Sequence, residues 1–310
     1  MLRVPGVASF AGRSLLSLQD VSRSELAALL TCARQLKLAL REGDADTVRK
    51  AKRAAPLRGE SIGMIFQKRS TRTRVSSETG MNLLGGHALF LGPNDIQLGE
   101  NESLPDTARV LSRFNSLLLA RVYSHDDVQQ LAHLSSRPVI NALSDLHHPL
   151  QTLADLQTLM EHYGVEDPEQ LGKEGLNLTV AWVGDGNNVL HDLMLGCARL
   201  GINVRAACPT GYEPDDGIVQ DTKFLAATDG GGSEVLLSTD VDAVVTGADV
   251  IVTDTWVSMG QEEEKKKRLA DFAGYQVLSR LCVCVCVCVC VCVCVCVCVC
   301  VCVCVCVCVS

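Results

Sequence analysis

The sequence predicts an α/β chain: two doubly wound parallel-sheet domains joined by a long helix and followed by a low-complexity tail. Three observations lead there. Short apolar, strand-like runs are separated by helix-length segments, which implies right-handed βαβ units and parallel sheets. The alternation stops at the charged, glycine-containing stretch Gly164 to Gly175 and then restarts. From Cys282 to Cys308 every even position is cysteine and every odd one valine, which continues neither pattern. The domains read as 1–150, 151–280 and a tail at 281–310.

The elements follow in order. Ser22 with Glu25 three residues later is a capping box, and Leu26, Leu29, Leu30, Ala33, Leu36 and Leu40 then keep helical spacing until Gly43. Ser61 to Phe66 is a short apolar strand. A helix from about Thr71 to Leu84 ends at Gly85-Gly86, and another covers about Ser103 to Phe114. Leu117 to Val122 and Pro138 to Asn141 are strand-like, and Pro149 opens the long helix. In the second half, Asn177 to Val183 is a strand and Val189 to Arg199 a helix. Ile202 to Ala206, Glu234 to Leu237 and Val250 to Thr253 are further strands.

At 310 residues the chain is long enough for two domains with separate cores. The repeat holds 14 of the 17 cysteines, leaving Cys32, Cys197 and Cys208. Three scattered cysteines make no disulfide framework, so a reducing compartment fits. A net charge of -8 gives no reason to expect a nucleic-acid partner. Met1 to Leu18 carries Arg3, Arg13, several serines and no acid; this is faintly transit-like, though short for a transit peptide.

The apolar run Leu281 to Val309 exceeds the roughly 20 residues that span a bilayer. A membrane span, an aggregating strand and a thiol-rich metal site each meet an objection. Valine and cysteine are not helix formers, the flanks carry no aromatic anchors, and strict Cys-Val alternation folds no loop around an ion. A translated TG dinucleotide repeat, with alternating TGT and GTG codons, accounts for the regularity. No membrane association and no metal are expected.

The densest polar signal is Lys68-Arg-Ser-Thr-Arg-Thr-Arg74, with four cations and three hydroxyls in seven residues, between a strand and a helix. A helix N-terminus offers free N–H groups and partial positive charge to a phosphate, and a guanidinium grips two phosphate oxygens. A basic surface loop is the alternative. Arg121 closes an apolar strand, where a charge needs a partner or ligand. His148 precedes a helix-opening proline, with Gln151 one turn in; a lone histidine is more often structural. Gly184-Asp-Gly-Asn-Asn188 follows a strand as a dinucleotide loop would, but Val189 stands where the third glycine belongs. Asp254 ends a buried strand, where α/β sheets present ligand-binding groups. Glu262 to Arg268 makes three i,i+4 pairs and reads as a solvated helix face.

Ser70-Thr-Arg-Thr-Arg74 resembles the carbamoyl-phosphate signature of the aspartate/ornithine carbamoyltransferase family. Asp95 to Gly99, Leu119-Ala-Arg121, His148-Pro-Leu-Gln151, Trp182 to Asn188 and Asp254 to Gly260 match further family motifs in the same order, the last two those of its ornithine-specific members. The likeness runs from about Gly12 to Val277.

The resemblance implies a transferase that moves a carbamoyl group from carbamoyl phosphate to the δ-amine of L-ornithine. The products are citrulline and phosphate, as in arginine biosynthesis and the urea cycle. It implies no cofactor and no metal. Ser70, Thr71, Arg72 and Thr73 would hold the phosphate, with Gln97 from a neighbouring subunit of a homotrimer. Arg121 and His148 would act on the carbonyl oxygen, and Gln151 on the carbamoyl amine. Asn188 would bind the ornithine carboxylate and Asp254 its α-ammonium, with Ser258 and the backbone of Met259 completing the clamp and Leu143 lining the pocket. The compartment would be the mitochondrial matrix, otherwise the cytoplasm. Past Val277 the family continues with a strand, a His-Cys-Leu-Pro-Arg motif, a later arginine and a closing helix, for which the repeat has no counterpart. The second sheet is therefore expected to have an unpaired edge, and this chain to be inactive. The alternative is a non-catalytic remnant that binds carbamoyl phosphate or joins a family trimer.

Overall fold

The computed structural model describes residues 7–43, 45–96, 102–173, 175–257, 262–277, 289–292 and 304–307. The elements of the first half are α1 (Arg23–Lys37), α2 (Ala45–Ala54), β1 (Ser61–Phe66), α3 (Thr71–Leu83), β2 (His87–Leu91), α4 (Leu104–Phe114), β3 (Leu117–Arg121), α5 (His125–Leu134), β4 (Val139–Leu143) and α6 (Pro149–Tyr163). The second half follows with β5 (Thr179–Val183), α7 (Asn188–Leu200), β6 (Asn203–Ala207), α8 (Asp216–Thr228), β7 (Val235–Ser238), α9 (Val241–Val245), β8 (Val250–Thr253) and α10 (Lys265–Asp271). Two strands of the repeat, β9 (Val289–Cys292) and β10 (Cys304–Val307), complete the described elements. The chain divides into two compact units between Gln157 and Thr158, within α6.

Most of the helices begin where a side chain satisfies the otherwise unpaired first N–H groups. Ser22 and Glu25 form the reciprocal capping box of α1. Ser70, Ser103, Ser124, Asn187 and Asp215 cap α3, α4, α5, α7 and α8 through their side chains. At the end of α7, Gly201 takes the left-handed conformation at φ 77, which a side chain would oppose.

The first sheet has the order β2-β1-β3-β4, all parallel, with Met64, Ile65, Phe66, Leu118 and Val139 fully or almost fully buried. In the second, β7, β6, β5 and β8 are parallel neighbours, and β5 is buried along its whole length. Both are α/β sheets with helical connections, as the alternation predicts.

The unpaired edge expected in the second sheet is not what the structure shows. Val289–Cys292 lies parallel to β8 in the register Val250↔Val289, and Cys304–Val307 pairs antiparallel with it. The physical reason is that the edge of β8 offers a row of free N–H and C=O groups, and a valine-rich segment is a ready strand former. Among the described residues no helix is long and apolar enough to cross a membrane.

Candidate active site

Strand order decides where each sheet can offer a site. A parallel α/β sheet opens a crevice beyond the carboxyl ends of its strands where the order reverses. In the first sheet that point lies between β1 and β3, and in the second between β5 and β8. The polar motifs of the sequence leave these four strands and β4 beside them.

In the first unit, β1 runs through Gln67 to Arg69 into α3. Ser70 caps that helix, its Oγ accepting from the Thr73 N–H at 3.3 Å and its hydroxyl donating to Thr73 Oγ1 at 3.0 Å. Thr71 and Arg72 are exposed on the first turn, Thr73 is buried, and that turn holds no acid. The N–H groups of Thr71 and Arg72 therefore face outward with the positive end of the helix dipole. Arg121 ends β3, only 7% exposed, and its Nε has no hydrogen-bond partner among the described residues. Burial, then repulsion from Arg72, holds its pKa down to about 10. Lys68 is likewise lowered by burial and by Arg121, against the pull of Asp145. Arg121 thus stands within electrostatic reach of both Arg72 and Lys68, with no carboxylate paired to it among the described residues. Such a cluster favours an anion.

Next in the sheet, β4 ends at Leu143, the register partner of Arg121 and half-buried. The turn that follows carries His148, 2% exposed, and leads into α6. Burial, then Arg121, pushes its pKa down to about 3, so the imidazole is neutral. A neutral ring can donate one hydrogen bond to a carbonyl oxygen without adding charge. One turn on, Gln151 is buried and its Nε2 donates to Asp155 Oδ1 at 2.8 Å. That contact leaves Gln151 Oε1 buried without a partner among the described residues, an acceptor suited to an amide N–H. The first-unit residues named from the sequence are thus brought together, except Gln97, which lies outside the described residues.

In the second unit the loop after β5 packs closely. A Cβ on Gly186 would sit 2.3 Å from the Pro214 nitrogen, so the glycine serves a close backbone approach rather than a dinucleotide. Asn187 caps α7 and also donates from Nδ2 to Asp254 Oδ2 at 3.1 Å, joining the loop after β5 to the end of β8. Asn188, the first residue of α7, and Asp254 are both half-buried there. Ser258 and Met259 lie outside the described residues.

The family profile described as aspartate/ornithine carbamoyltransferase, carbamoyl-P binding domain, matches residues 13–161, and the profile for its Asp/Orn binding domain matches 176–284. The chain belongs to the aspartate/ornithine carbamoyltransferase family. It is 51% identical to the mitochondrial ornithine transcarbamylase of Gallus gallus over 86% of this chain and 70% of that one. It is 45% identical to the ornithine carbamoyltransferase of Carboxydothermus hydrogenoformans, over 89% of this chain and 82% of the other. The solved ornithine carbamoyltransferase of Pyrococcus furiosus superposes with a TM-score of 0.78 at 44% identity, covering 88% of this chain and 81% of that structure.

Two residues of this carbamoyltransferase chain escape sequence reasoning. Asn187 lies inside the motif Trp182 to Asn188, but nothing in the sequence singles it out from Asn188 as the residue that reaches Asp254. Arg268 corrects the expectation of a solvated helix face. It keeps its i,i+4 contact with Glu264 at 3.4 Å but is only 6% exposed. Its Nη1 meets Asp185 Oδ2 at 2.8 Å and donates to the Trp256 carbonyl at 3.0 Å, and the guanidinium lies over the Tyr212 ring. Arg268 thereby ties the loop after β5 to the loop after β8, a tertiary role that i,i+4 spacing cannot reveal.

Proposed function

We propose that the chain carries the two half-sites of carbamoyl transfer from carbamoyl phosphate to the δ-amine of L-ornithine. The observation that supports this best is the set of buried, ligand-ready groups after β3 and β4. Arg121 Nε and Gln151 Oε1 lack partners among the described residues, and His148 is held neutral. Ser70, Thr71, Arg72 and Thr73 bind the phosphate. Arg121 and His148 face the carbonyl oxygen, and Gln151 accepts from the carbamoyl amine. On the ornithine side, Asn188 binds the carboxylate and Asp254 the α-ammonium, with Ser258, Met259 and Leu143 around the chain. The δ-amine forms the new N–C bond, charge builds on the carbonyl oxygen, and the C–O bond to phosphate breaks; the surplus amine proton leaves with the phosphate. Stabilising that oxygen is the largest share of the catalysis. No cofactor takes part. The working assembly is a homotrimer in which Gln97 reaches the neighbouring subunit's phosphate. The mitochondrial matrix is its proposed compartment, with the cytoplasm as the alternative.

The 310-residue chain itself we propose to be inactive, since the repeat supplies none of the cysteine and arginine groups that the family resemblance places after Val277. Each charged transition-state contact is worth about a hundredfold or more in rate. The test assays citrulline with both substrates saturating, for the chain as it stands and for one with a family-type segment in place of the repeat. The expected result is background turnover in the first and family-level turnover in the second, with Asp254→Asn in the second raising the ornithine KM and lowering kcat. Turnover by the unaltered chain within about tenfold of the repaired one overturns the inactivity. A repaired chain without citrulline production overturns the reaction.

A further inference from the structure

Arg121 and His148 reach the site from different segments, and the structure braces those segments against each other. The turn after β4 is hydrogen-bonded to the backbone leaving β3 by Val122 N–H to the Leu143 carbonyl at 2.9 Å and Asp145 N–H to the Tyr123 carbonyl at 3.0 Å. From the start of α5, four residues past Arg121, the His125 N–H donates to Asp145 Oδ1 at 2.7 Å. The His125 and His147 rings meet edge to face at 4.8 Å. At the centre stands Ser144, fully buried.

Counting protons at Ser144 gives the brace a direction. Its Oγ lies 3.2 Å from both Asn141 Nδ2 and the His147 backbone nitrogen, two groups that can only donate. Asn141 Nδ2 gives one proton to the Leu16 carbonyl at 2.9 Å, and for the other Ser144 Oγ is nearer than the His147 carbonyl at 3.4 Å; with both donors engaged, the hydroxyl proton goes outward. Two acceptors are within reach, His125 Nδ1 at 2.9 Å and the His147 carbonyl at 3.3 Å. That carbonyl already takes the Ser144 N–H at 2.9 Å, and the His125 nitrogen is the nearer. His125 Nδ1 is then the acceptor of that bond, which places the ring proton on Nε2.

We propose that Ser144 and His125 are positioning residues for carbamoyl transfer: the hydroxyl-to-Nδ1 bond locks the turn carrying His148 against the segment carrying Arg121. The inference rests on the reading of those two groups as the carbonyl side of the site. Loosening it spoils recognition of a carbonyl group and leaves the phosphate contacts of α3 alone.

The experiment uses the full 310-residue chain in reductant, with two probes: phosphonoacetamide, which carries both a carbonyl and a phosphonate, and inorganic phosphate. Histidine nitrogen NMR on the unaltered chain is expected to show His125 as the Nε2-protonated tautomer. Calorimetry is expected to show Ser144→Ala and His125→Leu lowering phosphonoacetamide affinity about tenfold, the worth of one hydrogen bond, with phosphate affinity unmoved. His125→Asn, which returns an acceptor near the Nδ1 position, should recover most of the loss. An Nδ1-protonated His125 overturns the inference even if every variant misfolds. So do folded variants that bind both probes as the parent does, or that lose both equally. An unaltered chain that binds phosphate yet gains nothing from the carbonyl overturns the underlying site reading, and this inference with it.

Discussion

The two half-sites are built on the same topological device but are held in different ways. In the first unit the polar groups at strand ends and helix starts are each held by a partner near in sequence, Ser70 by Thr73, Gln151 by Asp155 and Ser144 by His147, and the brace from His125 to Ser144 is added to these local contacts. In the second unit the equivalent positions are joined by contacts distant in sequence, Asn187 with Asp254 and Arg268 with Asp185. A site of local contacts is preorganised by its own segment. A site of distant contacts is only as firm as the buried side chains that tie its loops, so the second half should fail first when one tie is cut.

Arg268→Met makes the largest break in that comparison. It leaves the Asp185 carboxylate, 8% exposed, without its cation, and losing one partner of a buried pair costs about 3–5 kcal/mol. Urea unfolding of the second unit is expected to shift by that amount, while the affinity for phosphonoacetamide in the first unit holds. A shift below about 1 kcal/mol would mean the pair behaves like an exposed one. The next effect is on the first unit alone. Arg72 is exposed at the start of α3, so Arg72→Ala should leave folding intact and remove a charged ligand contact. Such contacts contribute about 1.5–3 kcal/mol, so inorganic phosphate should bind roughly 10- to 150-fold more weakly by calorimetry. Equal affinity in parent and variant would detach the phosphate from this helix.

How much of this could be read from the sequence follows the same division. The strands β1, β3, β5 and β8 show as apolar runs because both faces of a parallel sheet are covered. The phosphate-side cluster shows because its cations and hydroxyls are contiguous. The edge strand His87–Leu91 went unread although Ala88 to Leu91 is apolar; at the sheet's edge its residues stay exposed or half-buried, so the run does not mark a covered core strand. Arg268 was hidden for another reason. Its spacing to Glu264 satisfies a surface pattern, and only the fold brings Asp185 and Trp256 to it. The pairing of Val289–Cys292 with β8 was not legible either, since a strict two-residue repeat favours no one register over the next.

The smallest effect expected is a pH dependence that belongs to the first unit alone. His148 is buried and neutral, its pKa lowered from 6.5 to about 3, first by burial and then by Arg121. In the unfolded chain the same ring titrates near its ordinary value. As the pH falls below that value the unfolded state takes up a proton that the folded state refuses, so stability drops. The contribution is fully present above about pH 6.5, declines by about 1.4 kcal/mol per pH unit below it, and levels off near the folded pKa. Between pH 7 and pH 5 this amounts to about 2 kcal/mol. His148→Gln removes the titration, so the stability of the first unit in urea should fall by about 2 kcal/mol less over that interval than in the parent. The stability of the second unit should change with pH identically in both chains. If parent and variant lose the same stability, the His148 ring either takes up its proton in the folded state or is less buried than the structure has it, and the neutral donor at the carbonyl oxygen goes with it.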